Sequence, residues 1–357
     1  MREEPATRIL VGGNGAEMAV LRFDPATLAL VRIQSLQVGS RPSWIHACRH
    51  RSLLLVNNET DQGIVKLFKW DGSSPDLASL DLVAEIPSMG ADPCYMDESS
   101  DGKVLMVANY TGENVLFYPF DAKDASEAHV LRFDGISRNP DAKPHPHMAV
   151  TNPYDKESPG RIYIPDLGSD CIHIVNLDPT SHAPTIETSL HLPRGTGPRH
   201  LAFHPNGRTA YACLELTSEL AVLALHPLAL VSRHAAAPPP PAGTKQAMTM
   251  QAAAVVLSAD ARSVFVSNRF HASGVDSVAR FELDAEEGLV MGAATWTQTG
   301  GKVVRGVGIS GDGEWMCVGN LESDTVVIFR VGPPGTEMLK VAEVKLDQVL
   351  PSVCVWV

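Results

Sequence analysis

One motif recurs six times along this chain, and the recurrence leaves few folds open. Each copy opens on a small or Pro-containing segment and runs through an apolar strand, a polar turn and a second apolar strand. That second strand ends in Asn, Asp or Glu, and a third strand follows. The copies are read at 42–58, 93–109, 146–166, 198–215, 253–268 and 304–320, each continuing into its third strand. The polar markers at 58, 109, 166, 215, 268 and 320 stand 51, 57, 49, 53 and 52 residues apart. Several short strands in a unit of that length make a blade that can bury its faces only against neighbouring blades, which is the pattern of a β-propeller.

The N-terminal runs Arg8–Gly13, Ala19–Phe23 and Leu30–Ile33 read as a seventh copy without its first strand, and Ser352–Val357 is a strand without a blade. The expected fold is therefore all-β, a seven-bladed β-propeller over 1–357 as one domain. Its ring would be closed by the C-terminal strand joining the N-terminal blade, which removes an open sheet edge. Turn chemistry agrees: Ser100-Asp-Gly102, Pro205-Asn-Gly207 and Gly311-Asp-Gly313 fall at corresponding places between first and second strands. No window of a dozen residues holds a 3.6 period free of Gly or Pro, so a helical domain is not expected.

Composition narrows the function classes. Lys and Arg number 29 against 41 Asp and Glu, a net charge of −12 that disfavours nucleic acid or an anionic membrane as partner. No apolar run approaches the roughly 20 residues of a membrane span, and no signal-peptide core is read, so the expected location is the cytoplasm. The six cysteines are scattered without a C-x-x-C pair, which suits reduced, mostly buried thiols. Asn58-Glu-Thr60 and Asn109-Tyr-Thr111 match the glycosylation pattern by chance on this reading. Gly12-Gly-Asn-Gly15 precedes no helix and is not a phosphate loop.

In a propeller the first strand of each blade lines a central channel, so polar residues at blade ends converge from distant parts of the chain. Lys143-Pro-His145-Pro-His147 leads into blade four, and Gly195-Thr-Gly-Pro-Arg199-His200 leads into blade five. Glu215 ends a strand, Arg269 follows one, and Arg305 opens blade seven. Singly, His200, His204 or Glu215 has an ordinary explanation as a hydrogen-bonded or solvated residue. Jointly, guanidiniums, a carboxylate and imidazoles at channel-lining strand ends point to Arg forks for an anion with Glu or His moving a proton. His145-x-His147 beside a carboxylate could chelate a metal, but arginines around it would repel the cation, and no metal is expected. No nucleophile elbow is present. The Pro-rich Ala235–Gly243 reads as a stiff loop between blades five and six, its functional alternative being a lid.

Val107-Ala-Asn-Tyr-Thr-Gly112, Pro144-His-Pro-His147, Tyr163–Asp170, Gly197-Pro-Arg-His200 with Leu214-Glu215, and Val266-Ser-Asn-Arg269 resemble the seven-bladed propeller lactonase family. That family contains propeller-type 6-phosphogluconolactonases and the fungal 3-carboxy-cis,cis-muconate lactonising enzyme. The resemblance implies catalytic roles for His147, Arg199, Glu215 and Arg269, with His145, Asn109, Asp166, His200 and Arg305 as substrate-binding candidates. It implies an enzyme that needs no cofactor and acts on a small anionic lactone or its open-chain acid. The alternatives are a cycloisomerase that closes a ring intramolecularly and a non-catalytic propeller that binds a protein. Trp70-Asp71 is the only Trp-Asp pair, which argues against the last. A homo-oligomer is left open. Departures from the family pattern are Val304-Arg305 in place of Pro-Arg and Gly112-Glu113 in place of Gly-Gly.

Overall fold

The computed structural model describes residues 7–70, 80–135, 142–239, 250–271 and 273–357. They form seven four-stranded antiparallel sheets, the blades of a propeller, and one 3₁₀ turn at Ala125–Glu127. Six blades are built from consecutive strands. The first takes its innermost strand, Pro351–Trp356, from the other end of the chain, beside Thr7–Gly13, Met18–Asp24 and Ala29–Leu36. The closing register pairs Ile9 with Trp356, Leu10 with Val355 and Val11 with Cys354. Counted from this one, blades 2 to 7 begin at Ile45, Pro93, Val150, Pro198, Gln251 and Val304.

Burial explains why strands within a blade look so different in sequence. A second strand such as Thr209–Leu214 is buried throughout, because both sheet faces pack on neighbouring blades, and it therefore reads as a continuous apolar run. An outermost strand such as Ala29–Leu36 has one wet face and alternates. The core is accordingly a set of seams between blades. At the closing seam, Phe23 of blade 1 sits edge-on to Trp315 of blade 7 with ring centroids 5.0 Å apart. Burying a ring of this size stabilises by about 2–3 kcal/mol. Gly207 occupies the last turn position at φ +75, with a Cβ there only 2.4 Å from the Tyr154 carbonyl oxygen, so the turn demands glycine.

None of the six cysteines is in a disulfide, and all but Cys48 are buried. Among the described residues no helix is long and apolar enough to cross a membrane. Residues 240–243 of the Pro-rich segment lie outside the described residues, as does the question of a lid.

Candidate active site

In four blades a local bulge leaves one residue of the innermost strand out of the pairing. In blade 5, Pro198 pairs with Leu214 and His200 with Cys213, leaving Arg199 as the extra residue. The same slip frees Cys94 in blade 3, Arg305 in blade 7 and Ser352 in blade 1. In blade 4 the Pro146–Asp166 bridge is followed by His147. A bulge re-aims a side chain and ends regular pairing, so the sheet itself presents these groups to the axis. The ring is knit across blades: Ser352 Oγ donates to the Ser43 carbonyl at 2.9 Å, and Cys94 Sγ lies 3.6 Å from His147 Nδ1. Arg199 Nη1 donates to the carbonyl of Ala253 in the next blade.

Above this ring, residues at or just past the ends of several second strands meet. Glu215 follows Leu214, and Arg269 ends Ser263–Arg269. Glu215 Oε2 is bridged by Arg199 Nε at 2.9 Å and Arg269 Nη2 at 3.0 Å. Both arginine side chains are at least nine-tenths buried, and Arg269 also donates to Gln251 Oε1 at 3.2 Å. Arg305 reaches Glu59 Oε2 at 3.3 Å and Asn14 Oδ1 at 3.4 Å. Gly197, at φ +61 with Leu216 where its Cβ would stand, lets the chain turn tightly into Pro198-Arg199.

The electrostatics are those of an anion receptor. Arg199, Arg269 and Arg305, with Arg41 on Glu59, stand against Glu215, Glu59 and Asp92, so the cluster carries one uncompensated positive charge while the imidazoles stay neutral. They do stay neutral: burial, then Arg199 and other neighbouring cations, hold His147 and His200 well below the ordinary histidine value. Burial likewise lowers Arg269 to about 10, with Glu215 opposing the shift. His147 packs edge-on to His200 and Tyr110, at 5.1 and 5.5 Å between centroids. Beneath lies a channel cavity of about 490 Å³ lined by Trp44, Tyr95, His200, Arg305, Val307 and Trp356 among others.

The candidates from sequence thus divide. His147, Arg199, Glu215, Arg269, His200 and Arg305 converge on the hub. His145 stands at its rim, stacked on Tyr110 at 4.4 Å with Nδ1 on the Tyr110 carbonyl, beside a second cavity shared with Lys143 and Arg194. Two expectations are corrected. Asn109 is fully buried in the blade wall, donating to the Ser88 carbonyl and Asn114 Oδ1. Asp166 is equally buried, accepting from the backbone of His145 and Ser169 with His173 Nε2 at 3.3 Å. Both are walled off from the channel and brace the loops that carry their neighbours. The hub-facing residues after second strands that the sequence reading missed are Asn14, Glu59 and Tyr110. A usable signal was present: Ser43, Cys94, His147, Arg199 and Ser352 each follow an opening proline.

Fold and hub together define a seven-bladed propeller with a buried, anion-receptive centre at one end of its channel. The chain belongs to the family described as lactonase, 7-bladed beta-propeller, whose model matches residues 6–355. It is 27% identical over 280 residues to a 6-phosphogluconolactonase of Formosa agariphila, covering 75% of this chain and 74% of the relative. It is 27% identical over 256 residues to the 6-phosphogluconolactonase of Bacillus subtilis, covering 69% and 68%. Among solved structures, the Pseudomonas aeruginosa periplasmic gluconolactonase superposes with a TM-score of 0.83 at 24% identity, covering 99% of each chain, which is a likeness of fold.

Proposed function

We propose that this protein hydrolyses a small anionic lactone, as its relatives named 6-phosphogluconolactonase do by their name. The observation that carries the reading is the Glu215 carboxylate bridged by two buried arginines from adjacent blades, beside a neutral His147. In this reading His147 takes a proton from water as its oxygen adds to the lactone carbonyl. Arg199 and Arg269 stabilise the oxyanion that forms, and the C–O bond of the ring breaks as the proton passes to the departing alkoxide oxygen. Glu215 holds the two guanidiniums in position for that charge. The rim cations Lys143 and Arg194 with His145 suit an anionic tail on the substrate. No step requires a cofactor.

The test follows ring opening of 6-phosphoglucono-δ-lactone by NMR, against a panel that includes unsaturated carboxylic acids for the reverse, ring-closing chemistry. Wild type should open the lactone well above the spontaneous rate, and Arg199→Ala and His147→Gln should each lose about 100-fold or more with folding intact. Wild-type rates in both variants would remove the assigned roles. Ring closure without opening would replace a hydrolase with a cycloisomerase built on the same residues.

A further inference from the structure

At the far end of the channel-lining strands from the hub lies a second cluster of chemistry-bearing side chains. His46 and Cys48 stand two apart on the innermost strand of blade 2 and its continuation, so extended backbone turns both the same way. Glu98 ends the innermost strand of blade 3, four residues beyond the hub residue Cys94, or about 13 Å along the strand. A ring nitrogen of His46, the thiol of Cys48 and a carboxylate oxygen of Glu98 all lie within 4.8 Å of one another.

From this geometry we infer that His46, Cys48 and Glu98 form a site for one divalent transition-metal ion of the zinc class. The mixed S, N and O donor set is what such an ion takes, and tetrahedral coordination needs donors on the order of 3.5 Å apart, a contraction of about 1 Å. The polar atoms are left waiting for a partner. Glu98 is fully buried, and while its Oε1 accepts the Arg49 backbone N–H, its Oε2 has no hydrogen bond. His46 Nε2 is also buried without a hydrogen bond, 3.6 Å from Asp97 Oδ1 and 3.9 Å from Glu98 Oε1. An unmade bond to a buried acceptor is costly, and a cation between these atoms would satisfy both.

His50 Nδ1 lies 3.4 Å from Glu98 Oε2 with the ring half exposed, beside the three-donor group rather than within it. Charge also favours the ion. Asp97 and Glu98 outnumber the Arg49 guanidinium that contacts them, leaving one excess negative charge. Binding of a dication breaks the Cys48 S–H bond, forms an S–metal bond and releases one proton to solvent, which brings the cluster to neutrality. Since blade 2 contributes an innermost strand of only three residues, Ile45–Ala47, the ion would clip that short strand to blade 3.

The test titrates the full-length, chelator-treated and reduced protein with Co²⁺, and measures Zn²⁺ by equilibrium dialysis. The expected result is one equivalent bound, with thiolate-to-cobalt charge-transfer absorption in the near ultraviolet. Cys48→Ser should abolish the band, and Cys48→Ser and Glu98→Gln should each weaken Zn²⁺ at least about tenfold. His145→Asn, at the opposite end of the channel, should leave both unchanged. Folded wild type that binds no equivalent at 100-fold molar excess, a band that survives Cys48→Ser, or a band lost in His145→Asn would each overturn the site. The proposal does not depend on lactone hydrolysis, since its readouts are stoichiometry and absorption.

Discussion

Glu215→Gln removes one negative charge from between two buried guanidiniums while keeping the shape of the side chain. Each contact near 3 Å corresponds to roughly 6 kcal/mol of gross attraction at an effective dielectric constant of about 20. Desolvation offsets much of that, and loss of one partner from a buried pair costs about 3–5 kcal/mol in practice. The glutamine carbonyl oxygen keeps a polar contact with Arg199 and Arg269, which places the change near the lower end, about 3 kcal/mol. A chain of this length melts with an entropy of about 0.75 kcal/mol per degree, so Tm should fall by about 4 °C. The variant also turns the hub from one uncompensated positive charge to two. Phosphate at 100 times its Kd should then restore about 2.7 kcal/mol, most of the deficit, and do less for the wild type. Scanning calorimetry of both proteins with and without phosphate measures this. A Tm within 1 °C of wild type, with equal response to phosphate, would show that the carboxylate does not bind the arginines together.

Two further outcomes bear on the site and the ring. His147 and His200 are held well below the ordinary histidine value of about 6.5, first by burial and then by Arg199, so the unfolded chain takes up their protons while the folded chain does not. Their contribution is therefore fully present above about pH 6.5 and is lost as the pH falls toward the folded values, by up to about 1.4 kcal/mol per pH unit for each ring. Denaturant unfolding between pH 7 and 5 should show that slope, and His200→Gln should remove one ring's share; an unchanged slope in the variant would contradict the assignment. Deleting 351–357 strips the innermost strand from blade 1 and lays open the edge that carries Ile9, Leu10 and Val11, all fully buried in the intact chain. The truncated chain should aggregate or fail to fold, as judged by size-exclusion chromatography and circular dichroism, whereas a stable monomer would mean that the closing strand is dispensable.

Much of this architecture is local information. A blade's second strand is apolar throughout because both of its faces are buried, its turns need Gly at a positive φ, and the copies are similar because every blade solves the same packing problem. The number of blades and the closing strand follow from counting those copies. Ionisable residues at the strand ends, His147, Arg199, Glu215 and Arg269, stood out because an apolar repeat gives them no other reason to be there. What the repeat could not supply was the final half-turn of the backbone. Adjacent side chains in a strand point to opposite faces, so a shift of one residue exchanges wall for channel. Asn109 and Asp166 fall on the wall side of that divide, while Tyr110 and Glu59 fall on the channel side. Blade 5 hides the difference, since Leu214 takes the wall position there and Glu215 the next. The bulges that free Arg199, Cys94 and Arg305 set this phase. They exist only once strands hundreds of atoms apart have paired and the ring has closed, and so the tertiary structure, rather than the sequence by itself, decided which side chains meet.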